Sequence, residues 1–429
     1  MKAALILFLA GLLGNLVAGE MLVADAESAR KAVLAAQPGD VIILKAGEWK
    51  DIDMRLDGEG ADGNPITIRA EVPGATVITG ASRVRLGGLH LVVSGLWLKN
   101  ITGSKADWFE FRIDSKRRAN HCRVTDCAFT EEASFKPKDK ENRWVGFYGQ
   151  DNQIDHCLIE GKKTKGASLV VWLGDDNTGS HRLLQNYFGE RPALGRNGGE
   201  TVRIGDSKSS MLTASCLVEG NIFYRCDGET ECISNKSCGN TYRGNLFREV
   251  QGTLTLRHGN GCLVEGNVFL GGKRERTGGI RVIGEDHRVI GNHLEDLEGD
   301  GFRSAIALLN GVPDSPENGY FQVKRALIRC NTMIHCNEGI LLGYNDVDEA
   351  TLPPLLTRFE ENRILSGSGQ TAVRAGLEAI ETVWEDNVFE GELAGLEVNP
   401  GLTRGEVTGT RVPALSAENE VGVTWKQKP

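Results

Sequence analysis

Glu229 and Glu231 stand one residue apart in "GETECISNKSC" (228–238), and Lys236 follows five residues later. Arg203 lies upstream in "ETVRIGDS", and Arg257 and Arg281 lie downstream in "GTLTLRHG" and "GGIRVIGE". Carboxylates at i and i+2 of a strand share a face, roughly 6.5–7 Å apart at the backbone. Oxygens converging from there suit a hard cation such as calcium, and "GRNGGE" offers Asn197 (and Glu200) to complete the set. A cation beside a lysine and arginines suits β-elimination at a sugar uronate. The hard step there is removal of the proton next to the sugar carboxylate. The metal neutralises that carboxylate and stabilises the enediolate-like charge. A lysine serves as base where neighbouring cations bring its pKa well below ~10.4. An arginine can help the bridging oxygen leave as a hydrogen-bond donor or proton source, although its high pKa makes full proton donation hard. The same charges could instead form a ladder of cross-strand ion pairs. Two carboxylates could also serve a glycoside hydrolase as an acid–base pair, which leaves the lysine and arginines unexplained. A non-catalytic carbohydrate-binding surface is the third alternative.

The elements that must hold these residues are short strands. Helix is scarce beyond one amphipathic segment over about 25–36, "DAESARKAVLAA". Glycine numbers 54 of 429 residues, above the ~7% norm, so turns are frequent. The turns repeat: "LLQNYF" (Asn186), "VEGNIF" (Asn221), "YRGNLF" (Asn245), "VEGNVF" (Asn267), "VIGNHL" (Asn292), "IRCNTM" (Asn331), "FEENRI" (Asn362) and "WEDNVF" (Asn387). Cys127 and Cys157 fill the same slot in "VTDCAF" and "IDHCLI". Spacings of 24, 22 and 25 residues separate Asn221, Asn245, Asn267 and Asn292. A β-type period in the low twenties predicts an all-β, single-domain parallel β-helix whose stacked coils bury one continuous core. The repeated asparagines are expected to take φ > 0 at a corner and to bond one another in a ladder. The N-terminal helix is expected to cap the open end of the stack.

Alternation then sorts the candidates. In "GTLTLRHG" the leucines Leu254 and Leu256 must point inward, so Arg257 points out. The same parity turns Arg203 and Arg281 outward, and an alignment of "GETECISN" with "GTLTLRHG" turns Glu229 and Glu231 outward as well. Lys236 falls past the strand, where parity leaves its direction open.

At these residues the chain resembles polysaccharide lyase family 6, the chondroitinase B and alginate lyase family of right-handed parallel β-helices. The similar blocks are "VVWLGD" (170–175), "RPALGRNGGETVRIGDS" (191–207), "CDGETECISNKSC" (226–238), "QGTLTLRHGN" (251–260), "GGIRVIGEDH" (278–287) and "NGYFQVK" (318–324). With "AQPGDVIILKAGEW" the resemblance spans roughly residues 22–345. It implies Lys236 as general base, Arg257 as general acid, and Asn197, Glu229 and Glu231 as calcium ligands. It implies that His258 and Arg281 line the substrate subsites, and Arg203 is added to them from its place on the shared face. The implied partner is an anionic uronate polysaccharide, alginate before dermatan sulfate.

The bulk composition agrees. A formal net charge of −9 gives no support for nucleic-acid binding, which wants a basic face. The first 19 residues, "MKAALILFLAGLLGNLVAG", read as a secretory signal peptide cut near Ala18–Gly19, too short for a membrane anchor. The remaining 20–429 form the β-helix domain, with an N-terminal cap over about 20–50 and a C-terminal end and tail over about 390–429. Export to the periplasm or beyond the cell is expected. The ten cysteines show no zinc spacing. Most are expected to be small buried hydrophobes, with one or two disulfides possible.

Overall fold

The computed structural model describes residues 18–103, 107–138, 140–174, 179–195, 197–367, 369–376, 381–408 and 412–427. The segment expected to be a signal peptide lies outside them up to residue 17. Three parallel sheets of 14 strands each run the length of the described chain, and successive coils place one strand in each sheet. This is the parallel β-helix that the repeat predicts. No helix among the described residues is long and apolar enough to cross a membrane.

The helix forms over Ala26–Ala35, and the Asp25 carboxylate caps it by accepting the Ser28 N–H. Ala29, Ala32 and Val33 are buried against the first coils, chiefly the strand Asp53–Glu59. The helix packs closely over Gly58, where a Cβ would sit a tight 3.2 Å from the Val33 carbonyl. The helix therefore closes the apolar end of the stack.

Stacking one coil on the next repeats each side chain on itself. Phe188, Phe223, Phe247 and Phe269 occupy one register position, with ring centroids 4.7, 4.7 and 4.4 Å apart. The asparagines form the expected ladder. Asn186 Nδ2 donates to Asn221 Oδ1 at 3.0 Å, Asn221 to Asn245 at 2.9 Å and Asn245 to Asn267 at 2.9 Å, and the chain of bonds continues to Asn387. Each Oδ1 also accepts the backbone N–H of the preceding ladder asparagine, as Asn267 does from Asn245 at 3.0 Å. The positive φ falls elsewhere than expected. It belongs to the residue before each asparagine, such as Gln185, Gly220, Cys330 and Asp386, which makes the corner and frees the asparagine to point inward. Cys127 and Cys157 extend the ladder: Cys127 N–H donates to Cys157 Sγ at 3.4 Å, and Cys157 N–H to Asn186 Oδ1 at 3.0 Å. All ten cysteines are free thiols in this structure, and eight are buried as small apolar side chains.

The tail returns along the outside. Pro413 reaches Gly266 and Ser416 reaches Gly220. Gly422 N–H donates to Gln185 O at 2.7 Å, and Trp425 Nε1 donates to Asp126 O at 3.1 Å. Val421 and Val423 are buried there against Ala128, Leu158, Tyr187, Ile222, Leu246 and Val268.

Candidate active site

Four neighbouring strands of one sheet carry the site: Val202–Gly205, Glu231–Lys236, Thr253–His258 and Ile280–Val282. Val202, Ile233, Leu254 and Ile280 form one inward register row. The next row outward is Arg203, Ser234, Thr255 and Arg281, so the outward parity of both arginines holds. The glutamates depart from the expected alignment by two residues. Glu231 pairs with Thr253 at the strand start, Cys232 is extra, and Ile233 pairs with Leu254. A bulge of this kind shifts parity. Glu229 lies in the turn before the strand rather than on it.

Lys236 turns into the groove. Asn235 beside it points into the core, where its Oδ1 accepts from Tyr242 OH at 2.8 Å, so the alternation sends Lys236 outward. Its positive charge is felt by both Glu229 and His258. A second bulge leaves Arg257 unpaired, with Lys236 opposite His258.

Glu231 is the hub. Its Oε2 accepts from Ser234 Oγ, and its Oε1 lies 3.8 Å from Arg257 Nε and 3.7 Å from Arg281 Nη1. Arg257 also donates from Nη2 to Asn318 O at 3.1 Å and from Nη1 to Gly319 O, with its guanidinium 4.2 Å over the Tyr320 ring. Arg281 donates from Nη2 to Asp346 Oδ2 at 2.8 Å and to Tyr320 OH at 3.2 Å. Burial, reinforced by the charge of Arg281, lowers the Arg257 pKa against the opposing pull of Glu231 and Tyr320. Burial, then Arg257 and Lys236, push His258 down to about 3, so its imidazole is neutral. Its Nε2 lies 3.5 Å from Ser207 Oγ. Arg203 shares the face but turns to Trp172, 4.9 Å over the ring.

The acidic end is built by two stacked turns. A Cβ on Gly199 would meet the Gly228 carbonyl at 2.2 Å, and one on Gly228 would meet the Gly199 carbonyl at 2.1 Å. Only glycine allows this approach, and it lets the Gly199 N–H hydrogen-bond to the Glu229 carboxylate. Asn197 is exposed at the start of that turn, two residues from Gly199. Beneath it the buried Arg191 guanidinium donates to Gly199 O at 2.6 Å, Gly166 O at 2.7 Å and Thr164 O at 2.9 Å, clamping the turn. Among the described residues no three His, Cys, Asp or Glu side chains converge as a ready metal cage. The donor set nevertheless fits a hard cation. Glu200 Oε2 and Glu229 Oε2 are buried acceptors without a hydrogen-bond partner. Burial, then Glu200 and Glu231, push Glu229 up to about 8. Crowded carboxylates with unused oxygens are what a divalent ion satisfies.

Tyr320 and Asp346 had no role assigned from sequence. Both come from excursions between coils, where no period marks them. "NGYFQVK" was the only trace of Tyr320.

A family model described as chondroitinase B matches residues 23–364. Among solved structures, AlyGC, a PL6 family alginate lyase, is 38% identical, with a TM-score of 0.86 over 94% of this chain and 56% of that one. A mannuronic acid specific polysaccharide family 6 lyase from human gut microbiota is 28% identical, with a TM-score of 0.81 over 95% of this chain and 97% of that one. The chain thus spans little more than half the length of AlyGC. No curated protein matches the chain significantly.

Proposed function

The chain belongs to the chondroitinase B family, polysaccharide lyase family 6, and from that premise we propose that it cleaves an anionic uronate polysaccharide by β-elimination, alginate before dermatan sulfate. The observation that carries the reading is the convergence of Arg257 and Arg281 on Glu231, with Lys236 on the same sheet face opposite His258 and the crowded acids Glu229 and Glu200 at the groove's edge. The likeness to AlyGC supports alginate as the first substrate. The leader at residues 1–19 supports action in the periplasm or outside the cell.

In the proposed reaction the Lys236 amine takes the proton from the carbon next to the sugar carboxylate. The electron pair left behind forms the new carbon–carbon double bond as the bond to the bridging oxygen breaks. Arg257 donates to that departing oxygen. Its pKa is lowered by burial and by Arg281, the direction a donor needs. Arg281, anchored by Asp346 and Tyr320 and buried behind Glu231, stands at the substrate subsite that the family resemblance implies for it. His258 lines the groove as an uncharged imidazole, and Arg203 lines it further along. Asn197, Glu229 and Glu231 would hold a calcium ion, which when bound supplies positive charge for the sugar carboxylate and the enediolate-like charge.

The test is product chemistry. Incubation with mannuronate-rich alginate, guluronate-rich alginate and dermatan sulfate is followed by ultraviolet absorbance of unsaturated sugar ends. Alginate should give the faster rise. No rise with any of the three refutes the reading.

A further inference from the structure

The groove continues beyond the catalytic residues along one register column. Lys236 pairs with Gly205 on the preceding coil. The pairing of Val171 with Ile204 places Trp172 next to Gly205, that of Phe147 with Val171 places Tyr148 next to Trp172, and that of Glu110 with Gly146 places Arg112 next to Tyr148. With strands about 4.8 Å apart, Trp172, Tyr148 and Arg112 stand about 10, 14 and 19 Å from Lys236 along the axis. Gly205 contributes no side chain to the column between Trp172 and Lys236, and a Cβ there would meet the Lys236 carbonyl at 2.4 Å.

Cations and rings alternate along this stretch. The Arg112 guanidinium lies 3.7 Å over Tyr148. Arg143 and Arg203 lie 5.4 and 4.9 Å over Trp172. The rings fix the guanidiniums in place by cation–π contact. Arg112 is answered by Glu110, and Arg143 by Asp107. The Arg203 Nε is buried without a hydrogen-bond partner among the described residues. A groove of about 360 Å³ runs between Arg112, Arg118, Tyr148 and Trp172. In a protein of net charge −9, a file of guanidiniums leading to the central lysine is a local reversal of sign.

We propose that Arg112, Tyr148, Trp172 and Arg203 form a distal subsite that binds further uronate units of a polysaccharide whose scissile bond lies at Lys236. This rests on the uronate lyase reading of the central site. The guanidiniums take the carboxylates of the distal units, and the ring edges supply apolar contact to the sugar carbons. The subsite makes binding depend on chain length.

The test uses full-length protein carrying Lys236→Ala, so that ligands survive, with trimeric and hexameric oligouronates from alginate titrated by calorimetry. The hexamer is expected to bind about tenfold tighter than the trimer, as loss of one desolvated aromatic anchor costs about that much. Adding Trp172→Ala, or separately Arg112→Gln, should bring the two affinities together. The proposal is overturned if either variant keeps the preference for the hexamer, if both lengths weaken equally, or if neither length binds. Release of unsaturated ends by the unaltered protein reports separately on the lyase reading. Absence of that release with the length preference intact and lost on Trp172→Ala leaves a binding groove without the chemistry.

Discussion

Lys236 lies opposite His258 on the next coil, and Arg257 falls between register positions as the extra residue of a β-bulge. Bulges re-aim side chains at functional sites. Here the bulge lets Arg257 turn toward Glu231 and Tyr320 while the buried, neutral His258 sits beside the lysine. Two cations therefore approach one groove from consecutive coils without occupying one register pair.

Replacing Lys236 by Ala should lower turnover of the uronate polymer by a factor of about 10²–10⁴, the usual contribution of a positioned base. Arg257→Lys keeps the charge and loses the planar fork that reaches Glu231, Gly319 and Asn318, so it too should be severely impaired. Both residues are outward, so the far-ultraviolet circular dichroism of each variant should match the parent. Near-parental turnover in either variant would sink its assigned role.

The acids at the groove edge make a separate prediction about metal. Prolonged chelation should lower activity, and calcium should restore it. Glu229→Gln and Glu231→Ala should each reduce calcium retained after gel filtration, measured by atomic emission. Glu231→Ala should also release Arg257 and Arg281, raising KM as well as lowering kcat, because both guanidiniums lie within 4 Å of that carboxylate. Equal calcium content in the parent and both variants contradicts the ligand role.

The asparagine ladder should be a major stabilising feature of the stack. In Asn245→Ala, the Asn221 backbone N–H loses its acceptor in a fully buried position, and the Val218 carbonyl loses a donor. Each orphaned group costs about 1–3 kcal/mol. Asn245→Asp should cost more, since it adds an unpaired charge at the same place. Urea unfolding midpoints measure both, and an unshifted midpoint in the Ala variant contradicts the ladder's importance.

That ladder was legible in the sequence because every coil restates it. A slot repeated at Asn221, Asn245, Asn267 and Asn292 reports period, fold and corner together. Arg203 and Arg281 were legible for a related reason, since each follows an apolar residue in a short regular strand. The glutamates were harder. Cys232 is an inserted residue, so counting by twos from Leu254 gave Glu229 a place on the strand that it does not have. Tyr320 and Asp346 belong to excursions of one coil each, and a feature that occurs once leaves no period. The direction of Lys236 followed only once Asn235 was seen bonded to Tyr242 in the core.

Acid should destabilise the fold through its buried histidines. Burial lowers His181 to about 3 and His287 to about 4. Each accepts a backbone N–H at Nδ1, His181 from Asn152 at 3.2 Å and His287 from Cys262 at 3.1 Å, and so must stay unprotonated there. The unfolded chain takes up these protons near pH 6.5, the native one only near 3–4. Stability is therefore complete above pH 6.5 and falls as pH drops toward 4, by about 1.4 kcal/mol per pH unit for each histidine. His287→Asn should make the decline shallower by one histidine's share, because asparagine fills the matching role at Asn240, accepting from Cys216 N–H at 2.9 Å. An unchanged slope of urea midpoint against pH would assign the acid sensitivity elsewhere.

The returning tail should stabilise the coils it crosses. Residues 412–427 lay Val421 and Val423 on the outward apolar row Ala128, Leu158, Tyr187, Ile222, Leu246 and Val268, while Arg248 pairs with Glu418 and Trp425 packs beside Trp97. That row is outward-facing yet apolar, an arrangement that exposes a continuous strip on a sheet unless something covers it. Ending the chain at residue 408 should remove about 3–6 kcal/mol from the two valines alone, an upper bound set by the extended reference chain. The truncated protein should melt at lower temperature and bind a hydrophobic dye in its folded state. Val421→Asp within the intact chain should reproduce the direction of both changes with the rest of the tail present. A truncation that melts with the parent and binds no dye would show that the strip needs no cover.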